Sequence, residues 1–144
     1  MKILHVSYGD SNGGAARAAY RIHRAQVEYG IDSRMCVLQR GTTDKRVSVA
    51  MPSFSITSRV AQKTYCRWLS YIHRGWHTDN PILHTFCQIS AGLVNEFNTS
   101  DVDILNLHWI RNILSVADIG RLKKPIVWTL HDMWAFCGGT LCSR

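Results

Sequence analysis

Apolar and polar positions along the chain form short blocks that predict strands and helices in alternation. The apolar run "KILHV" at residues 2–6 predicts a strand at the very beginning of the sequence. Three further compact apolar runs predict strands at 34–38, 104–107 and 126–130. Each run is too short for a helix that packs on a core, so the strand interpretation is favoured.

The segments between these runs carry helical patterns or turn residues. Helices are predicted over 15–29, 57–74, 87–97 and 113–122. Alanines fill the first turns of the first helix, and Gly30 stands where a residue that ends a helix is expected. The polar stretch 40–52 is predicted as a loop that closes a β-α-β unit.

This alternation predicts an α/β fold built on a doubly wound, mostly parallel sheet, a Rossmann-like domain. The near-continuous apolar runs at 104–107 and 126–130 predict strands that are buried on both faces. No internal repeat, low-complexity tract or linker interrupts the sequence, so residues 1–144 are predicted to form a single domain.

The predicted helix 57–74 is the most clearly amphipathic segment. Tyr65, Trp68 and Leu69 lie on its apolar face. Its opposite face carries four basic residues, Arg59, Lys63, Arg67 and Arg74. Such a helix either packs on the core with a solvated basic side or rests on anionic lipid headgroups, and the sequence leaves both interpretations open.

The net charge of the chain indicates the kind of binding partner but does not identify it. The 144 residues carry a net charge of +7, which favours anionic partners such as a nucleotide, a phosphorylated substrate or an anionic membrane surface. No nucleic-acid-binding module is recognisable, so nucleic acid is not expected. The N-terminus lacks the pattern of a signal peptide and no apolar run reaches about 20 residues. A cytoplasmic location is therefore expected, with peripheral attachment at the inner face of the membrane through the basic face as an option.

The five cysteines contain no C-x-x-C pair, and we expect them to be free thiols. Cys137 and Cys142 are separated by four residues, but two ligands do not make a metal site, so no metal is expected.

Three pairs of residues follow predicted strands at their carboxyl ends, which is where open α/β sheets bind ligands. They are Gly13-Gly14, His108-Trp109 and His131-Asp132. The glycine pair in "SYGDSNGGAARAAYRIHRA" either holds an anion against the N-terminus of a helix or makes a structural turn with positive φ. It matches neither the dinucleotide fingerprint nor the P-loop.

His131 directly follows a predicted buried strand and precedes Asp132. An imidazole in this position can hydrogen-bond a sugar hydroxyl or stabilise developing charge, tuned by the carboxylate beside it. The alternative is a structural histidine whose nitrogens are satisfied inside the protein. The same two interpretations apply to His108.

Three stretches in this order and spacing resemble the N-terminal half of a GT-B glycosyltransferase of the family-4 kind. The branch that it is similar to makes bacterial exopolysaccharide and colanic-acid-like surface polymers. The stretches are "MKILHVSYGDSNGGAARAAYRIHRA", "DILNLHWI" and "PIVWTLHDMWAFCGG".

The resemblance implies a role for each pair of residues. Gly13 and Gly14 would face the diphosphate of a nucleotide-sugar, His131 would lie near the transferred sugar, and Asp132 would help to orient it. His108 and Trp109 would line the acceptor side. The reaction implied is hexose transfer from a nucleotide-diphosphate sugar to a lipid-linked or glycan acceptor, with no metal and no cofactor besides the donor.

The family also has a second, donor-binding domain that uses two glutamates seven residues apart. The sequence has only Glu28 and Glu96, so the resemblance predicts a domain that is inactive alone. It also predicts self-association through an exposed cleft face that includes Trp109, Trp134 and Phe136. Two other hypotheses stay open: a non-catalytic module that binds an acceptor or a partner, and a small nucleotide-binding protein.

Overall fold

A computed structural model describes residues 1–51 and 90–137, together with Thr64, Arg67, Trp68 and Tyr71. Within these residues, strands and helices alternate. In chain order they are β1 (Lys2–Gly9), α1 (Gly14–Glu28), β2 (Asp32–Gln39), β3 (Val47–Val49), α2 (Val94–Thr99), β4 (Ile104–Leu107), α3 (Val116–Ile119), β5 (Ile126–Trp128) and α4 (Trp134–Cys137).

The five strands form one parallel sheet in the order β3-β2-β1-β4-β5. Strand β1 is central: Lys2 is in register with Asp32 of β2, and Ile3 with Ile104 of β4. The strand order reverses between β1 and β4, and ligands of open α/β sheets bind at such a reversal. The prediction of a parallel, Rossmann-like α/β fold is confirmed.

Apolar side chains cover both faces of the sheet. On one face Val6 and Leu107 belong to the larger core, which also contains Phe97 of α2. On the other face α1 contributes Ala19, which packs with Met35 of β2 in a smaller core. Burial on both faces is the arrangement expected of a doubly wound sheet.

The face under α1 is also rich in buried polar side chains. His5 of β1, Asn106 and His108 beside it, and His23 of α1 are all buried. The His23 Nδ1 lies 2.8 Å from the Ser33 hydroxyl oxygen, and the Thr129 hydroxyl donates to the Asn106 side-chain oxygen at 2.9 Å. Buried polar side chains are normally hydrogen-bonded, as these are. Hydrogen bonds as well as apolar packing therefore hold this side of the sheet together.

The first helix matches its prediction within one residue at each end. It ends where Gly30 takes a left-handed conformation with φ 79°, and the Gly30 N–H donates to the Val27 carbonyl at 3.0 Å. A residue without a Cβ suits this position because positive φ costs other residues energy.

Other predicted boundaries are wrong, and the backbone shows why. The predicted loop 40–52 contains β3, which is held by parallel pairing with β2. Of the predicted helix 87–97, residues 87–89 lie outside the described residues. Residues 90–93 are not helical, since Gly92 has φ 74°, and the helix runs over Val94–Thr99.

The predicted helix 113–122 shrinks to the single turn of α3. Asn112 has φ 62°, which is incompatible with helix, and α3 begins only after Ser115. The Ser115 hydroxyl accepts from the Asp118 N–H while the Asp118 carboxylate accepts from the Ser115 N–H, a reciprocal cap. Ile113 and Leu114 are buried in the core ahead of this cap.

Burial on both faces holds for β4 but not for β5. In β4, Leu105 and Leu107 on one face and Asn106 on the other are buried, whereas Ile126 and Val127 of β5 are 37% and 50% exposed. Strand β5 lies at the edge of the described sheet, where it pairs with β4 on one side only.

Most of the predicted helix 57–74 lies outside the described residues. The four residues that are described there, Thr64, Arg67, Trp68 and Tyr71, are helical and exposed. Trp68, predicted on the apolar face of this helix, is 55% exposed.

Candidate functional site

The residues singled out in the sequence follow strands β1, β4 and β5 at the same edge of the sheet. Backbone pairing continues past the end of β4, since the His108 N–H donates to the Val6 carbonyl at 2.9 Å and the Tyr8 N–H to the Trp109 carbonyl at 2.7 Å. The same is true of β5, where the Thr129 N–H donates to the Leu107 carbonyl at 2.8 Å. Parallel strands therefore bring the segments at 10–14, 108–109 and 131–132 to one edge.

The glycine pair begins α1. Gly13 precedes the helix with φ 89°, so its identity follows from the backbone alone. Gly14 has no such requirement, and a Cβ added to either glycine would meet no atom of the described residues within 4 Å. Among the described residues no side chain caps this end of the helix, and the first turn of α1 contains no acidic residue. The space and the helix N-terminus are thus both open to an anion.

The loop that leads to the glycine pair is anchored by Asp10. This carboxylate is buried and accepts hydrogen bonds from the Gly41 N–H at 2.7 Å, the Thr42 N–H at 3.1 Å and the Thr42 hydroxyl at 2.6 Å. Burial raises the pKa of Asp10, but the bonds from Thr42 and Gly41 outweigh it and hold the pKa below its usual value. Asp10 thus ties the turn after β1 to the turn after β2.

Two imidazoles, those of His5 and His108, connect α1 to His131 beneath this edge. His5 Nε2 lies 2.7 Å from Gln26 Oε1, His5 Nδ1 lies 2.8 Å from His108 Nε2, and His108 Nδ1 lies 2.9 Å from His131 Nε2. Neighbouring rings stack, with centroids 5.1 Å and 5.2 Å apart and interplanar angles of 21° and 25°. His131, at the end of the series, is half-buried, whereas His5 and His108 are buried.

Burial keeps these rings neutral. It lowers the pKa of His5, partly opposed by the hydrogen bond to Gln26. Burial and the imidazoles on either side lower the pKa of His108 to about 3. Burial also lowers the pKa of His131, although the Asp132 carboxylate opposes it. At neutral pH each ring therefore carries one N–H donor and one lone pair.

A narrow cleft separates the ends of β4 and β5. Its lining consists of His108, Trp109, Ile110, Arg111, Trp128, Leu130, His131 and Asp132. The cleft volume is about 10 Å³, which admits about one water molecule. A larger ligand would therefore contact the mouth of the cleft rather than enter it.

His108 and Trp109, predicted to contact the acceptor, occupy different environments. Both ring nitrogens of His108 face other imidazoles, so neither points at a ligand. Trp109 is half-buried, with its ring 5.3 Å from that of Tyr8 and tilted by 58°. Their roles in substrate binding stay predictions.

The face predicted to self-associate is described only in part. Phe136 is 71% exposed and Trp109 is half-buried, while the side chain of Trp134 lies outside the described residues. Self-association stays a prediction.

The predicted basic face is also described in part. Arg67 is exposed, while Arg59, Lys63 and Arg74 lie outside the described residues. In residues 1–51 and 90–137 no helix is long and apolar enough to cross a membrane. Docking on a membrane surface stays a prediction.

Metal ligands and thiols were the remaining candidate groups in the sequence. The described part of the chain holds no group of three or more His, Cys, Asp or Glu arranged to bind a metal ion. Cys36 is a buried free thiol, and burial raises its pKa to about 11, so it is protonated at neutral pH.

Sequence reasoning missed His5, Gln26 and Asp10. A histidine in the middle of the apolar run "KILHV" was the available signal, because a polar residue on a buried strand needs a partner. Nothing in the sequence indicated that this partner would be His108, which is 103 positions away.

In comparisons with known proteins, no family model, no curated protein and no solved structure matches the chain.

Proposed function

We propose that this chain is the acceptor-side domain of a glycosyltransferase of the GT-B, family-4 kind. The complete enzyme would transfer a hexose from a nucleotide-diphosphate sugar to a lipid-linked or glycan acceptor in the synthesis of a surface polysaccharide. The observation that carries the proposal is that an uncapped helix N-terminus and the pair His131-Asp132 occur at one edge of a parallel sheet. That combination suits a ligand with both phosphates and hydroxyl groups.

Each element has a physical task in this proposal. The open N-terminus of α1 at Gly13 and Gly14 would receive phosphate oxygens through backbone N–H groups, helped by the net charge of +7. The imidazole of His131 would bond a sugar hydroxyl, and Asp132 would orient that sugar. The cleft admits about one water molecule, about 10 Å³, so a second domain would have to close over the sugar and exclude water.

The test is an assay on the protein expressed from its full reading frame, including any coding sequence beyond the codon for Arg144. Labelled UDP- and GDP-hexoses are supplied with a lipid extract as acceptor, and incorporated label is counted. We expect transfer with at least one donor, and a loss of about 100-fold or more in His131→Ala, the usual effect of removing one stabilising group.

The matched control is Tyr29→Ala, which changes an aromatic residue that is 87% exposed and lies just beyond α1. It should retain full activity. No incorporation from any donor, or equal incorporation by the His131→Ala and unaltered proteins, would overturn the proposal.

The open helix N-terminus also favours a second candidate, a nucleotide-binding α/β protein without transferase activity. That candidate requires the chain alone to bind nucleotide, whereas the acceptor-side domain should bind it only weakly. Titration of the 144-residue chain with UDP and ADP by calorimetry separates the two. Micromolar binding by the chain alone would favour the second candidate.

A further inference from the structure

The imidazoles of His5, His108 and His131 form a row that begins at the side-chain amide of Gln26 and ends at the candidate site. Gln26 lies near the end of α1, and its side-chain oxygen is 2.7 Å from His5 Nε2. From there two imidazole–imidazole contacts of 2.8 Å and 2.9 Å lead to His131 Nε2. All three contacts have the length of ordinary hydrogen bonds, and each needs one donor and one acceptor.

Counting protons fixes the direction of every bond. The structure turns the oxygen of the Gln26 amide, and not its nitrogen, toward His5 Nε2. An oxygen can only accept, so this orientation requires the proton of His5 to be on Nε2. His5 Nδ1 is then an acceptor, which places the His108 proton on Nε2. His108 Nδ1 is in turn an acceptor, which places the His131 proton on Nε2.

The count holds because the inner rings are neutral. An imidazolium at His5 or His108 would donate from both nitrogens, so each ring beyond it toward His131 would accept at Nε2 and carry its proton on Nδ1. Burial lowers the pKa of both groups, that of His108 to about 3, so this charged form is absent at neutral pH. His5 and His108 are therefore uncharged, and each passes the donor-to-acceptor direction of its hydrogen bond on to the next ring.

We propose that Gln26 sets the tautomer of His131 through His5 and His108, so that His131 presents an unprotonated Nδ1 to its ligand. The site therefore accepts a hydrogen bond at this nitrogen and selects a donor, such as a hydroxyl group of a polyol or sugar, over an anionic oxygen. Gln26, His5 and His108 are positioning residues in this arrangement. The assignment does not depend on sugar transfer, and it is tested on the chain itself.

The two sides of the His131 ring have different neighbours. Asp132 and Arg111 line the same cleft, and His108 occupies the other side of the ring. Protonation of His131 at Nδ1 would leave its bond to His108 intact, because the proton on Nε2 is retained. Nδ1 is thus the position at which His131 gains or loses a proton.

The measurement is the tautomer of each histidine by long-range ¹H–¹⁵N correlation at pH 7 in protein labelled with ¹⁵N-histidine. His131→Asn assigns the signals of residue 131. We expect His5, His108 and His131 all to carry the proton on Nε2. A proton on Nδ1 of His131 in the unaltered protein would overturn the proposal.

Three substitutions at one position test whether Gln26 is the cause. Gln26→Glu keeps an acceptor and should keep the Nε2–H form of His131. Gln26→Lys supplies a donor, so the row should reverse and move the proton of His131 to Nδ1. Gln26→Leu supplies neither, and the ratio of the two tautomers should change by about tenfold toward Nδ1–H, as expected on losing one hydrogen bond.

Arg21→Leu, on an exposed position of the same helix, is the control and should change no histidine signal. Circular dichroism reports whether each variant folds. If the lysine variant does not fold, the leucine variant decides, since an unchanged His131 tautomer there would also overturn the role of Gln26.

Discussion

His23 and His108 make the stability of this protein sensitive to mild acid. Both are buried, and burial is the main reason that the pKa of His23 is lowered to about 4 and that of His108 to about 3. His5, Arg24 and Arg46 reinforce the shift at His23, while Asp44, with an oxygen 3.9 Å from His23 Nε2, opposes it. In an unfolded chain both groups would titrate near pH 6.5.

Proton binding explains why the free energy of unfolding decreases as the pH falls. As the pH falls below about 6.5, the unfolded chain takes up protons at these histidines and the folded protein does not, so stability falls until the pH reaches the folded pKa values. Between pH 7 and pH 5 each group then removes about 2 kcal/mol from the free energy of unfolding, about 4 kcal/mol together. That is a large part of the 5–15 kcal/mol or so that ordinary domains possess.

Urea denaturation followed by tryptophan fluorescence at pH 7 and pH 5 measures this loss. The carboxylates with lowered pKa, such as Asp10 and Asp44, lose their contribution only below about pH 4, so this window reports on imidazoles. In His23→Gln the loss should shrink by about 2 kcal/mol. The exposed substitution Arg21→Gln should leave it unchanged. A total loss under about 1 kcal/mol, or an undiminished loss in His23→Gln, would refute the reasoning.

Four further substitutions test the local structure, each by urea or thermal unfolding at pH 7. Gly13→Ala should cost about 1–2 kcal/mol because Gly13 has φ 89°, whereas Gly14→Ala should be neutral or stabilise by up to about 1 kcal/mol; equal effects would contradict this difference. Asp10→Ala removes the acceptor of three hydrogen bonds and should cost about 2–4 kcal/mol, and a cost below about 1 kcal/mol would show that water replaces it. Ser115→Ala should cost about 1 kcal/mol through loss of the reciprocal cap of α3, and an unchanged midpoint would mean that packing alone holds that turn.

The two glycine variants also bear on ligand binding. Since nothing in the folded structure requires glycine at position 14, a Gly14→Ala protein that is stable but has lost its ligand would indicate close approach of that ligand to the backbone. A Gly14→Ala protein that keeps both its stability and its ligand would indicate that Gly13 and Gly14 form only a structural turn.

Elements whose signals are local could be predicted from the amino-acid sequence. Strand β4 begins and ends where its apolar run does, and α1 is bounded by glycines at both ends, so side-chain hydropathy and backbone freedom were sufficient there. The positions of Gly13, His108 and His131 after strands followed from the same boundaries, and the parallel sheet then placed them at one edge.

Features that depend on distant partners could be seen only in the folded protein. Strand β3 exists because β2 offers it a pairing edge, and the predicted helix 113–122 shortens because the core takes Ile113 and Leu114 before the cap at Ser115. The imidazole row is the clearest case. His5 and His108 are 103 residues apart and meet only because β1 and β4 are neighbours in the sheet, and the direction of their hydrogen bonds is set by Gln26 on a third element.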